Sequence, residues 1–252
     1  MANRVAIVTG GGSGIGAAAA ATLSEHGLDV AVVGRRPEPL EHVAGSLPGR
    51  AMAVAADVGD PRGPEAIVTR VLGELGRVDV IVNNAAVIRT GPLTGVTRAS
   101  FDEHYAVNVA GPLFLVAAAL PALGKAEGAS VINISSSVGS IVKPGNMLYG
   151  STKAALEYLT RAWAHELAPH AIRVNCIAPG PVDTPIHATY SDDLQATYAD
   201  LGRRIPLGRI GDPQDVAAWV RFLASSDTAW TTGNVIHVDG GQVLGLPESA
   251  GG

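Results

Sequence analysis

Tyr149 and Lys153 stand four residues apart in Tyr149-Gly150-Ser151-Thr152-Lys153, at the head of an alanine-rich stretch. If that stretch is helical, positions i and i+4 share a face, so a phenol and an ammonium can point into one cleft. A free phenol titrates at about pH 10, too high for an effective acid/base near neutrality, and a neighbouring cation lowers that value by favouring phenolate. Just upstream, Ile132-Asn133-Ile134-Ser135-Ser136-Ser137 closes a strand-like run with three hydroxyls, any of which could hold a substrate oxygen. A tunable proton donor, a cation and a hydroxyl anchor are what the interconversion of a carbonyl and an alcohol by hydride transfer needs.

A second group of residues points to a dinucleotide. Thr9-Gly10-Gly11-Gly12-Ser13-Gly14-Ile15-Gly16 follows an apolar run and precedes a row of alanines. Glycines there allow a tight turn and a close backbone approach, and a helix starting at Gly14 offers unpaired N–H groups to a pyrophosphate. Gly10, Ser13, Gly14, Ile15 and Gly16 are therefore candidate cofactor residues. The next apolar run ends in Val33-Gly34-Arg35-Arg36, with no carboxylate to bind ribose hydroxyls and two guanidinium groups suited to a 2′-phosphate. That favours NADP(H) over NAD(H), with Arg35 a better candidate than Arg36, which directly precedes Pro37 at the start of a helix. Asp57, followed by Val58, could accept from an adenine amino group or simply cap a turn. Asn83-Asn84-Ala85-Ala86 ends another run, where the amides either meet ligand or tie strands together.

The elements that must position these residues alternate along the chain. Strands are expected at 5–8, 30–33, 51–55, 78–82, 130–134, 172–176 and 235–238, and helices at 14–26, 61–75, 100–120, 148–168 and 213–224. Most of the strands are continuous apolar runs, the pattern of parallel strands covered on both faces. The rhythm predicts one α/β domain over residues 1–252, a doubly wound Rossmann-type parallel sheet of about seven strands. Residues 185–206 fit no strand–helix unit and read as a substrate lid, with Ile186, His187, Tyr190 and Leu194 as wall candidates.

Of the 252 residues, 47% are hydrophobic and 16% charged, which is ample for a large core. The net charge is −5 and the basic residues are scattered, so neither nucleic acid nor a membrane surface is an expected partner. The apolar runs look too short and interrupted for a membrane span. No signal peptide is expected, and the single cysteine, Cys176, allows no intrachain disulfide, which suits the cytoplasm. Cys176 reads as a small buried hydrophobe, and no metal is expected.

In these motifs the chain resembles the short-chain dehydrogenase/reductase family in its compact, single-domain form, over roughly residues 4 to 242. The family's TGxxxGIG turn matches Thr9 to Gly16, and its YxxxK pair matches Tyr149 and Lys153. The resemblance picks Ser136 from the three serines and adds Asn108 as a fourth catalytic residue. It implies that Tyr149 is the acid/base, Ser136 bonds the substrate oxygen, Lys153 binds the nicotinamide ribose, and Asn108 holds a water of a proton relay. Pro179-Gly180-Pro181-Val182-Asp183-Thr184 looks like PGxVxT, so Pro179, Gly180, Val182 and Thr184 would lie at the nicotinamide. Val238-Asp239-Gly240-Gly241 matches VDGG. The resemblance also implies a homotetramer, or a homodimer, packed through helices 100–120 and 148–168. Two departures stand out. The usual NNAG reads NNAA here, which raises a backbone question if Ala86 needs positive φ. The basic residue common before the second glycine of the turn in NADP-using members is Ser13. The expected substrate is a small-molecule ketone or secondary alcohol. Carrier-protein reductases that resemble this chain place arginines where it has Lys125 beside Glu127, and Pro169-His170-Ala171.

Overall fold

The computed structural model describes residues 3–185 and 193–246. Seven parallel strands form one sheet: β1 (Val5–Thr9), β2 (Asp29–Gly34), β3 (Ala51–Ala55), β4 (Val80–Asn83), β5 (Ser130–Ile134), β6 (Arg173–Pro179) and β7 (Val235–Val238). Their order across the sheet is β3-β2-β1-β4-β5-β6-β7. The strand order therefore reverses between β1 and β4, where a crevice opens at the carboxyl ends of the strands. The doubly wound α/β fold expected from the sequence is the fold found.

Strand residues alternate between two cores. Val5 and Ile7 face one, with Leu115, Leu156 and Trp163, while Ala6 and Val8 face the other, with Leu23, Leu40 and Val220. Burial of both faces is why β1 carries no polar alternation: all five of its residues are buried. The first core is covered by α3 (Gly63–Leu75), α5 (Gly111–Leu123) and α6 (Met147–Leu167), the second by α1 (Gly14–Glu25), α2 (Pro37–Ser46) and α8 (Pro213–Ala224).

Three features depart from expectation. Helix α2 spans ten residues where the sequence marked only a start at Pro37; Leu40 is its one buried residue, so it has almost no apolar stripe to read. The helix expected at 100–120 is α4 (Arg98–Tyr105), a π-turn at Ala106–Ala110 and then α5. Together they make a 26-residue helix, long and apolar enough to cross a membrane by length and composition, although no such run was expected. Its buried Leu115, Ala119 and Leu123 pack against the sheet. Lastly, the segment read as a substrate lid outside any strand–helix unit contains α7 (Leu194–Gly202), capped by Asp193 through the Ala196 N–H.

Candidate active site

The glycine turn after β1 lies against β4. The Thr9 hydroxyl accepts from the backbone N–H groups of Asn84 and Ala85, both at 3.0 Å, and Asn84 Nδ2 donates to the Thr9 carbonyl at 2.9 Å. Gly10 and Gly14 have φ of +64° and +52°, the left-handed region that glycine tolerates. A Cβ on Gly14 would come within 3.0 Å of Thr184, which crosses over the turn from the loop after β6. Ser13 makes no side-chain cap, so the first-turn N–H groups of α1 are left to an anion at this end of the crevice.

Across the crevice lies the face of α6. Tyr149 is 9% exposed and Lys153 is 1% exposed. The Lys153 ammonium sits 5.5 Å from the Tyr149 ring centroid and donates to the Ile134 carbonyl at 2.8 Å. Burial pushes its pKa down from 10.5 to about 8, against the opposing pull of Cys176 and Glu157. Desolvation drives the Cys176 thiol up to about 12, so it is an inert, neutral group, as its apolar surroundings suggested.

The structure separates the three serines. Ser135 donates to Glu157 at 2.8 Å, and Ser137 donates to Gln242 at 2.7 Å. Among the described residues, the Ser136 hydroxyl only accepts a long 3.4 Å contact from the Val138 N–H, which leaves its proton for a ligand. One cleft of about 590 Å³ brings together Gly10, Ser13, Gly14, Ile15, Asn84, Ala85, Ser136, Tyr149, Lys153, Pro179, Gly180, Val182 and Thr184.

Six of the expected site residues lie outside that lining. Gly16 is buried beneath the turn, where a Cβ would run into the Gly10 carbonyl, so its part is close packing. Arg35 and Arg36 are exposed beyond the end of β2, and neither forms an ion pair among the described residues. Asp57 accepts from the Gly59 N–H at 2.8 Å, the turn role weighed against adenine binding, and Val58 is buried against Gly111. Asn108 sits fully buried in the π-turn. Its Oδ1 accepts from the Val87 N–H, and its Nδ2 donates to the Val87 carbonyl and to Thr152. That amide braces the loop after β4 against α6.

Ala86 does not have a positive φ, so the missing glycine of NNAG leaves no strain there. Asn83 ties strands, donating to Asn133 at 2.8 Å. Ile186, His187 and Tyr190 lie outside the described residues; of α7, Thr197 and Leu201 line the cleft and Leu194 does not. Sequence reasoning missed the far wall, formed by Ile88, Thr90, Val138, Lys143, Asn146 and Gln242, because loop side chains carry no periodic signal. It also missed Glu157, four residues beyond Lys153 on the same face, for which the i+4 spacing was the available clue.

A doubly wound sheet whose switch-point crevice holds a glycine turn, a serine hydroxyl and a Tyr–Lys pair defines a nicotinamide-dependent oxidoreductase. The chain belongs to the short-chain dehydrogenase/reductase family. A family model described as enoyl-(acyl carrier protein) reductase matches residues 10–242. The 3-oxoacyl-[acyl-carrier-protein] reductase FabG of Thermotoga maritima is 34% identical, with 97% of this chain and 99% of that protein aligned. The short-chain dehydrogenase/reductase FrzI of Cladobotryum sp. is 36% identical over 96% of this chain and 97% of its own. The ligand-free aldohexose dehydrogenase of Thermoplasma acidophilum superposes with a TM-score of 0.90 at 29% identity, covering 100% of this chain and 98% of that one. Family membership implies a nicotinamide dinucleotide cofactor.

Proposed function

We propose that the protein interconverts a small-molecule ketone and the corresponding secondary alcohol, with NADP(H) as its preferred dinucleotide and Tyr149 as acid/base. The observation that carries this reading is the convergence of Ser136, Tyr149 and Lys153 on one cleft shared with the glycine turn. The fit to a dinucleotide is carried by that turn: its positive-φ glycines and uncapped first-turn N–H groups would hold the pyrophosphate. Arg35 would take the 2′-phosphate, and Val182 and Thr184 the carboxamide. When bound, the nicotinamide supplies or accepts the hydride.

The chain's own groups then manage one proton and one oxygen. Ser136 donates to the substrate oxygen. Tyr149 gives that oxygen a proton in reduction and removes it in oxidation, and the buried ammonium of Lys153 stabilises the phenolate left behind. Asn108 ties the loop at Val87 to Thr152 of α6 through its side-chain amide, and its assignment to the proton relay rests on the family resemblance. A free substrate is favoured because Lys125 and Glu127 make no basic docking patch. The alternative, a 3-oxoacyl carrier-protein reductase, draws on the 34% identity to the Thermotoga protein.

Two further assignments accompany the reading. A cytoplasmic location is consistent with a lone, buried thiol. A homotetramer or homodimer would cover aromatic groups exposed on α5 and α6.

The deciding experiment compares Tyr149→Phe with wild type across a panel of ketones, oxoacyl thioesters and alcohols, following the absorbance of the reduced nicotinamide. Turnover is expected to fall at least about 100-fold, while NADPH binding followed by fluorescence stays within about threefold. A variant that retains most of its turnover would sink the mechanism.

A further inference from the structure

Glu157 is a carboxylate in the wrong place for a solvated helix face. It lies on α6 one turn beyond Lys153 and two beyond Tyr149, and it is 7% exposed. Burying a carboxylate is costly unless it is paired and hydrogen-bonded, so its partners show what it is for. Its Oε1 accepts from the Ser135 hydroxyl at 2.8 Å. That same hydroxyl approaches the Lys153 carbonyl at 3.3 Å. On the other side of the turn, Gly139 leaves room for the carboxyl group: a Cβ there would collide with Oε1. The short helical turn Ser137–Gly139, capped by Ser136, is thus flanked by one side chain of α6, which is hydrogen-bonded to Ser135 before the turn and packed against Gly139 at its end.

We infer that Glu157 is a positioning residue of the active site, whose carboxylate ties the turn carrying Ser136 to the helix carrying Tyr149 and Lys153. The inference rests on the hydride-transfer reading above. It assigns Glu157 no contact with substrate.

The same carboxylate acts on Lys153 through space. The titratable groups facing the Lys153 ammonium are Tyr149 and Glu157 on its own helix and Cys176 on β6; β5 contributes the Ile134 carbonyl. Cys176 is a neutral thiol near pH 7. Glu157 is therefore the facing anion that offsets the desolvation of the ammonium. Replacing it by an uncharged group of equal size removes that offset, and Lys153 then loses its proton at a lower pH.

Three variants separate the two effects. Glu157→Gln keeps the shape and the acceptor but not the charge. In ketone reduction, the alkaline limb of its kcat profile is expected to move at least about half a pH unit towards acid, with the ketone KM within about twofold of wild type. Glu157→Asp keeps the charge, and its limb should return towards that of wild type. Ser135→Ala removes the tie and keeps the charge. It should lower kcat about tenfold with the limb in place.

A readout without nucleotide comes from melting curves of the apoprotein between pH 6 and pH 9. Lys153 titrates lower in the folded chain than in the unfolded one, so the unfolded chain binds more protons above about pH 8 and stability rises with pH there. In Glu157→Gln that rise should begin at lower pH. Superimposable wild-type and Glu157→Gln profiles, by rate and by melting, would overturn the electrostatic half of the inference. Unchanged kcat in Ser135→Ala would overturn the bracing half. If wild type turned over no carbonyl substrate, the hydride-transfer reading would fail, while the apoprotein curves would still decide the role of Glu157.

Discussion

A buried lysine costs free energy that the fold recovers elsewhere, and Lys153 shows how much. A pKa lowered from 10.5 to about 8 corresponds to roughly 3 kcal/mol of penalty on the charged form. Lys153→Met, similar in length and uncharged, is therefore expected to melt no lower than wild type at pH 7, and to lose at least about 100-fold in turnover. Calorimetry and a rate assay on one preparation test both halves, and a clear fall in melting temperature would show that the ammonium is stabilising. Arg35 is the opposite kind of residue, exposed and without an ion pair among the described residues. Arg35→Ala should raise the apparent KM for NADPH about tenfold or more and that for NADH hardly at all; equal effects would remove Arg35 from the phosphate site. The Tyr–Lys spacing was legible in the sequence because helical geometry alone puts positions i and i+4 together. The choice among Ser135, Ser136 and Ser137 was not legible from residue type, because it depends on partners in α6 and near the chain's end.

At the scale of elements, the turn after β1 is legible as glycines, but the reason for each glycine is not. Gly10 and Gly14 are required by backbone conformation and Gly16 by packing, since its Cα faces the Gly10 carbonyl. That carbonyl cannot simply retreat, because Asn84 Nδ2 reaches it at 3.3 Å and ties it to the end of β4. Gly16→Ala should therefore destabilise the protein by about 1–3 kcal/mol, as overpacking at a rigid contact does, and weaken dinucleotide binding in step. Urea unfolding gives the first quantity and a fluorescence titration the second. An alanine variant of wild-type stability would mean that the turn is compliant. The π-turn at Ala106–Ala110 is not dictated by its own residue types. Nothing in AVNVA disfavours a plain α-helix; the distortion accompanies Asn108, which meets Val87 on one side and Thr152 on the other. Strand positions were read well because fully buried parallel strands are short apolar runs. Helix α2 was not, because it buries too little to leave a stripe.

At the scale of the whole molecule, the sheet order places the cofactor turn and the Tyr–Lys helix on either side of one crevice. What a second chain would supply is cover for apolar surface. Phe114 on α5 is 54% exposed and Tyr158 on α6 is 67% exposed, on the two helices expected to pack between subunits. Water-exposed aromatic rings cost little singly, but a patch repeated by a two-fold axis makes each burying contact twice, once on each subunit. Phe114→Glu would set two carboxylates against each other across such an axis without touching the sheet-facing side of α5. Light scattering should then show the wild-type assembly reduced to a smaller species, with far-UV dichroism unchanged. The melting temperature should fall, because subunit association adds to the stability of the fold by mass action. Equal masses for wild type and variant would move the interface elsewhere, and a monomeric wild type would remove it altogether.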